Sequence, residues 1–125
     1  MTGTDQLARH RRDLGAWGED LAARHLQDRG LVLLGRNWRC REGEIDLILT
    51  DRTRVVFCEV KTRTSDAFGI GAEAVTREKQ LRIRRLANEW LAAHDRRARE
   101  LRFDVVSILA PRDGSPIVDV LEAAF

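Results

Sequence analysis

Two segments near the middle of the chain alternate apolar and polar residues with period two, the spacing of a half-buried strand. In Gly43-Glu44-Ile45-Asp46-Leu47-Ile48-Leu49, Glu44 and Asp46 share one face and Ile45, Leu47 and Leu49 take the other. In Val55-Val56-Phe57-Cys58-Glu59-Val60-Lys61, Phe57, Glu59 and Lys61 lie opposite Val56, Cys58 and Val60. A short polar turn joins the two runs. If it centres on Arg52-Thr53, Asp46 faces Glu59 and Glu44 faces Lys61, with opposed Cβ atoms ~5 Å apart.

The remaining elements follow from the same kind of pattern. Leu14, Trp17, Leu21, Ala22, His25 and Leu26 recur at helical spacing, predicting a helix from about Asp13 to Arg29 with Gly30 as its stop. Glu19 sits at the edge of that apolar arc, so it can look along a surface the helix covers. Leu31 to Leu34 is a short apolar run, followed by Gly35-Arg36-Asn37 and then Trp38 to Arg41. Thr62 to Glu73 has no period and reads as a loop directly downstream of the charged strand. Thr76 is a good N-cap for a second helix to about His94, with Leu81, Ile83, Leu86, Ala87, Trp90 and Leu91 at helical spacing. Arg102 to Leu109 and Ile117 to Leu121 read as strands joined by a Pro- and Gly-containing loop. Helix, three strands, helix and two strands predict an α/β fold whose mixed, mainly antiparallel sheet is flanked by helices.

Composition narrows the class. With 125 residues, 43% hydrophobic and 34% charged, the chain is expected to be one soluble globular domain. No apolar run approaches the ~18 residues of a bilayer span. Met1 to Arg12 is polar and basic, without the apolar stretch of a secretory signal, so a flexible N-terminus and a cytoplasmic location are expected. Cys40 and Cys58 have no metal or redox spacing and read as reduced thiols. His10, His25 and His94 are scattered and carry no assigned role.

Net charge is only +2, but its distribution is uneven. Between Arg77 and Arg102, nine basic residues stand against four acidic ones. Such a stretch suits a polyanion, and an ordinary solvated helix face is the alternative.

The charged strands then have two readings. Like charges opposite one another destabilise a sheet, and Lys61 can offset one carboxylate but not the group. A cross-strand salt-bridge ladder is one answer. The other is a divalent cation, because Mg²⁺ takes carboxylate oxygens together with water and phosphate. In that reading Asp46 and Glu59 hold the metal, and Lys61 sits beside the attacking water and stabilises the anionic transition state. The chemistry is phosphodiester hydrolysis.

The runs Gly18-Glu19, Asn37 through Ile48 and Phe57-Cys58-Glu59-Val60-Lys61-Thr62-Arg63 also carry a resemblance. With Lys79-Gln80, Arg102 to Val106 and Ala124-Phe125, they make residues 14 to 125 similar to the YraN (UPF0102) family. That family looks like a branch of the PD-(D/E)xK nucleases, close to Holliday junction resolvases. The resemblance implies a restriction-endonuclease-like core, with residues 13–125 forming a single nuclease-like domain. It also implies a Mg²⁺- or Mn²⁺-dependent endonuclease acting on structured or branched DNA. Asp46, Glu59 and Lys61 would be catalytic, and Glu19, Asp46 and Glu59 would hold the metal. Glu44 and Gln80 would support the site, and Arg63, Lys79 and Arg82 would contact nucleic acid. No membrane partner is expected, and resolvase-like relatives imply a homodimer. A non-catalytic nucleic-acid-binding accessory protein retaining the fold is the alternative. The sequence departs from the superfamily pattern in having Ile45 in place of the motif proline and Arg84 where a QxxxY tyrosine would stand.

Overall fold

The computed structural model describes residues 3–64, 75–97, 100–111 and 113–125, with side chains from residue 12 onward. The part of the expected Thr62–Glu73 loop beyond residue 64 lies outside the described residues. Two helices and five strands follow in the order α1 (Gly3–Asp28), β1 (Val32–Cys40), β2 (Gly43–Asp51), β3 (Arg54–Arg63), α2 (Arg77–Ala93), β4 (Glu100–Leu109) and β5 (Ile117–Leu121). The strands form one sheet in the order β1-β2-β3-β4-β5. All neighbours are antiparallel except β3 and β4, which run parallel because α2 lies between them in the chain. The result is an α/β fold with a mixed, mostly antiparallel sheet and a helix on each face. Among the described residues no helix is long and apolar enough to cross a membrane.

Two cores fill the faces. Under α1, Ala22, Ala23 and Leu26 pack on Leu47, Leu49, Val56, Cys58, Val106 and Ile108. Under α2, Ile83, Leu86, Ala87 and Trp90 pack on Ile45, Ile48, Val55, Phe57 and Phe103. Phe57 stacks on Phe103 at 5.7 Å between ring centroids and meets Trp90 edge-on at 5.9 Å.

The first helix begins at Gly3, well before the onset of apolar periodicity at Asp13. Good helix formers such as Gln6, Leu7 and Ala8 extend it without needing an apolar stripe. Its contact line is also shifted. Gly18, Ala22 and Leu26, four residues apart, are buried, whereas Trp17 is 37% exposed. Small residues bring the helix close to the sheet, and a Cβ at Gly18 would overlap the Thr62 hydroxyl of β3. In α2, Leu81 likewise lies outside the buried stripe. Thr76 caps α2 as expected, its Oγ1 accepting the Lys79 N–H at 3.2 Å.

As far as it runs, the β2–β3 register is the expected one, with Asp51 paired to Arg54 around Arg52-Thr53. The ladder ends at Leu47 and Cys58, however, and the expected pairing of Glu44 with Lys61 is not formed. One face assignment also differs. Leu47 and Leu49 lie under α1, but Ile45 lies under α2, so strand parity fails at Asp46. The partner strand fails at the same level. Arg36 reaches α1 while Trp38 packs toward α2, and between them Asn37 adopts φ 50°. Continuing the β1–β2 register puts Asn37 opposite Asp46. Asn tolerates the left-handed region better than most residues, and here that conformation turns the strand over. β1 is continuous through Gly35-Arg36-Asn37, with a register shift between Leu33 and Gly35.

Candidate metal and phosphate site

The reversal at Asp46 creates the site. The last β2–β3 pair is Leu47 with Cys58. One step further, the Asp46 carboxylate accepts the Val60 N–H through Oδ2 at 2.8 Å. Asp46 thereby reaches residues on both faces of the sheet. Toward α1, its carboxylate, Glu19 and Glu44 offer oxygens that all lie within 4.8 Å of one another. Toward α2, it meets the side chain of Glu59, which is 8% exposed. The four carboxylates expected from sequence therefore converge, with Asp46 as the shared member. Glu44 joins Glu19 and Asp46 more closely than its supporting assignment implied. Glu59 approaches from the other side.

The electrostatics record the crowding. Burial, followed by the Glu59 charge, pushes Asp46 up to about 7 from its ordinary 3.8, against the Val60 hydrogen bond. Burial and the Asp46 charge also raise Glu19, opposed by its hydrogen bond from Asn37. Three of the four carboxylates have a cation of their own. Arg39 Nε meets Glu44 Oε2 at 2.9 Å, Lys79 Nζ meets Glu59 Oε1 at 3.2 Å, and Arg36 Nη2 lies 4.0 Å from Glu19 Oε1. Arg36 is held more closely by Asp20, at 2.7 Å. Among the described residues Asp46 has no such cation within salt-bridge distance; its bonded donor is a backbone amide.

Lys61 lies beside Glu59, Asp46 and Lys79. Burial and then the contact with the Lys79 amine lower its proton affinity. Lys79 moves the other way: against burial, its contacts with Lys61 and Glu59 hold its proton. Lys79, expected to meet nucleic acid, is thus engaged within the site. Gln80 is not aimed at the carboxylates, because its side-chain amide donates to the Val75 carbonyl at 3.2 Å and ties the entry of α2. Arg63 is half-buried at the end of β3, its Nε without a partner among the described residues. Arg82 lies over the β1–β2 turn, where Gly43 has φ 152° and a Cβ would come 3.5 Å from the Arg82 stem.

Asn37 and Arg36, which brace Glu19, had no assigned role in the sequence reading. The turn-like Gly35-Arg36-Asn37 inside an apolar run was their only local signal. The cysteines are free: Cys58 is buried, while the half-exposed Cys40 donates its thiol to Glu89 at 2.8 Å.

The family model described as Uncharacterised protein family UPF0102 matches residues 18–108, which include every residue of this cluster. The chain belongs to the UPF0102 family. A UPF0102 protein of Frankia alni is 53% identical over 112 residues, covering 90% of this chain and 93% of its own. One from a Nocardioides species is 55% identical over 106 residues, 85% of this chain and 86% of its own. Another, from Nocardia farcinica, is 54% identical over 112 residues, 90% and 88% of the two chains. The matched stretch includes β1, β2, β3, α2 and all four carboxylates.

Proposed function

We propose that this UPF0102 protein hydrolyses phosphodiester bonds in structured or branched DNA, with Mg²⁺ or Mn²⁺ held by Asp46, Glu59 and Glu19. The observation that carries the reading is the meeting of Asp46 and Glu59 where β2 and β3 part. Two largely buried carboxylates there face each other, and the shared one has no side-chain cation within salt-bridge distance among the described residues. Burying a charge is costly unless it is paired, and an all-oxygen donor set suits a hard divalent cation. The PD-(D/E)xK resemblance of Gly43–Ile48 and Phe57–Arg63 points to the same chemistry.

When bound, such a cation neutralises charge on a phosphate oxygen and acidifies water. The protein's own groups do the rest. Glu44 adds negative charge beside Glu19 and Asp46. Lys61, its proton affinity lowered, is suited to orient the attacking water and take its proton. Arg82 and Arg63 flank this end of the sheet and supply positive charge for the DNA backbone. A cytoplasmic site of action and a homodimer matching the symmetry of a junction complete the proposal.

Cleavage of flap, junction and single-stranded DNA with and without Mg²⁺ tests it. Wild type is expected to cut at least one substrate, and Glu59→Gln and Lys61→Met to cut none. If wild type is as inactive as both variants on every substrate, the enzymatic reading is lost. Salt-sensitive DNA binding that survives Glu59→Gln would then favour a non-catalytic accessory protein.

A further inference from the structure

We propose that Lys79 is an internal counter-ion of this site, occupying Glu59 in the metal-free protein and leaving it when a divalent cation binds. The inference deepens the divalent-cation reading above and rests on it.

The pairing is built into the fold. Thr76 Oγ1 accepts the Lys79 N–H at 3.2 Å, and the Gln80 amide bonds the Val75 carbonyl at 3.2 Å. Both contacts lock the first turn of α2, so Lys79 is presented directly over β3. Its Nζ then stands 3.2 Å from Glu59 Oε1. The carboxylate is nearly enclosed, with its side chain 10% exposed, whereas the Lys79 side chain is 30% exposed. The acid therefore stays in place, and the lysine has room to swing out.

The neighbouring ion pairs differ. Arg39 is 77% exposed where it meets Glu44, and Arg36 stands 4.0 Å from Glu19 while bonding Asp20 at 2.7 Å. Lys79 alone among these pairs both approaches within 3.2 Å and does so at a buried carboxylate. A divalent ion needs that carboxylate's oxygens, and the compact ammonium of a lysine competes for them. Once displaced, Lys79 remains within a side chain's length of the site and is free to meet a phosphate. Metal loading and phosphate capture are thereby coupled through one residue.

Titration calorimetry of the full chain with Mn²⁺ alone, without DNA, tests the assignment. Lys79→Met is expected to bind Mn²⁺ about three- to tenfold more tightly than wild type, the range of a partly buried ion pair. Lys79→Arg is expected to stay near wild type. In a Glu59→Gln background, Lys79→Met is expected to make no difference. An equal gain in that background would mean long-range repulsion and not occupation of Glu59, and would overturn the proposal. Unchanged or weaker binding by Lys79→Met, or no Mn²⁺ binding by any variant, would overturn it as well. Lys79→Gln provides a second neutral variant if Lys79→Met does not fold. A gain in affinity without DNA cleavage would sink the nuclease reading alone. Cleavage without a gain would sink the Lys79 assignment alone.

Discussion

The Asp46 carboxylate bonds the Val60 N–H at 2.8 Å, just past the last β2–β3 ladder pair. A side chain thus takes up an amide that a continuing strand would otherwise have bonded. That substitution lets the two strands separate while leaving no orphaned donor between them. It also buries a carboxylate beside Glu59, which gives the first prediction.

Asp46 titrates near 7 in the folded protein and near 3.8 when unperturbed. Because the folded value is the higher one, its contribution to stability is fully present below about pH 4. It is lost as pH rises through about 7. Wild type without metal should therefore lose stability across that window, by about 4 kcal/mol. Asp46→Asn should flatten the profile, and Mg²⁺ should raise the wild-type Tm more at pH 8 than at pH 5. Thermal unfolding across this pH range, with and without Mg²⁺, checks all three outcomes.

Gly18 touches Thr62 so closely that no Cβ fits between them. Gly18→Ala should cost about 1–3 kcal/mol through overpacking, even though alanine is the better helix former. Glu19 is the next residue, so the same variant should also weaken Mn²⁺ binding. Urea titration and calorimetry read the two effects, and Thr62→Ala should restore part of the stability.

Asp104 is fully buried and receives a bidentate pair of bonds from Arg102, both 2.9 Å, plus the Ala123 N–H at 3.0 Å. Asp104→Ala should destabilise by about 3–5 kcal/mol, because Arg102 loses its buried partner. The C-terminal segment, whose Phe125 stacks on Phe103 at 5.3 Å, should exchange its amide protons faster. Denaturant unfolding and hydrogen exchange report these changes.

Arg82 projects beside the β1–β2 turn, and its only ion pair among the described residues is a 3.9 Å contact with exposed Glu78. Arg82→Ala should weaken DNA binding similarly for all sequences and reduce the salt slope by about one. Fluorescence anisotropy at several salt concentrations measures it, and an unchanged slope would remove Arg82 from the interface.

Much of this was legible from local pattern. The hairpin register followed from alternation and the Arg52-Thr53 turn. The α2 cap followed from Thr76, and the nearness of Asp46 to Glu59 from counting along two strands. Each depends on residues within a few positions of one another, where periodicity and turn chemistry are strong. The helix α1 was harder, because its contact line is set by what the sheet beneath will admit. Trp17 fits the apolar period, but Gly18 is the residue that fits the space.

The residue types, their spacing and the two-strand register came from the sequence alone, because period two and turn chemistry are local. Which face each carboxylate occupies was decided only in the folded sheet. Asn37 and Asp46 reverse both strands at one level, so Asp46 can join Glu19 and Glu44 on one side and Glu59 on the other. Lys79 was likewise a basic residue on a basic helix until the crossover of α2 set it over Glu59. Such placements depend on packing between elements distant in the chain, which no local period encodes.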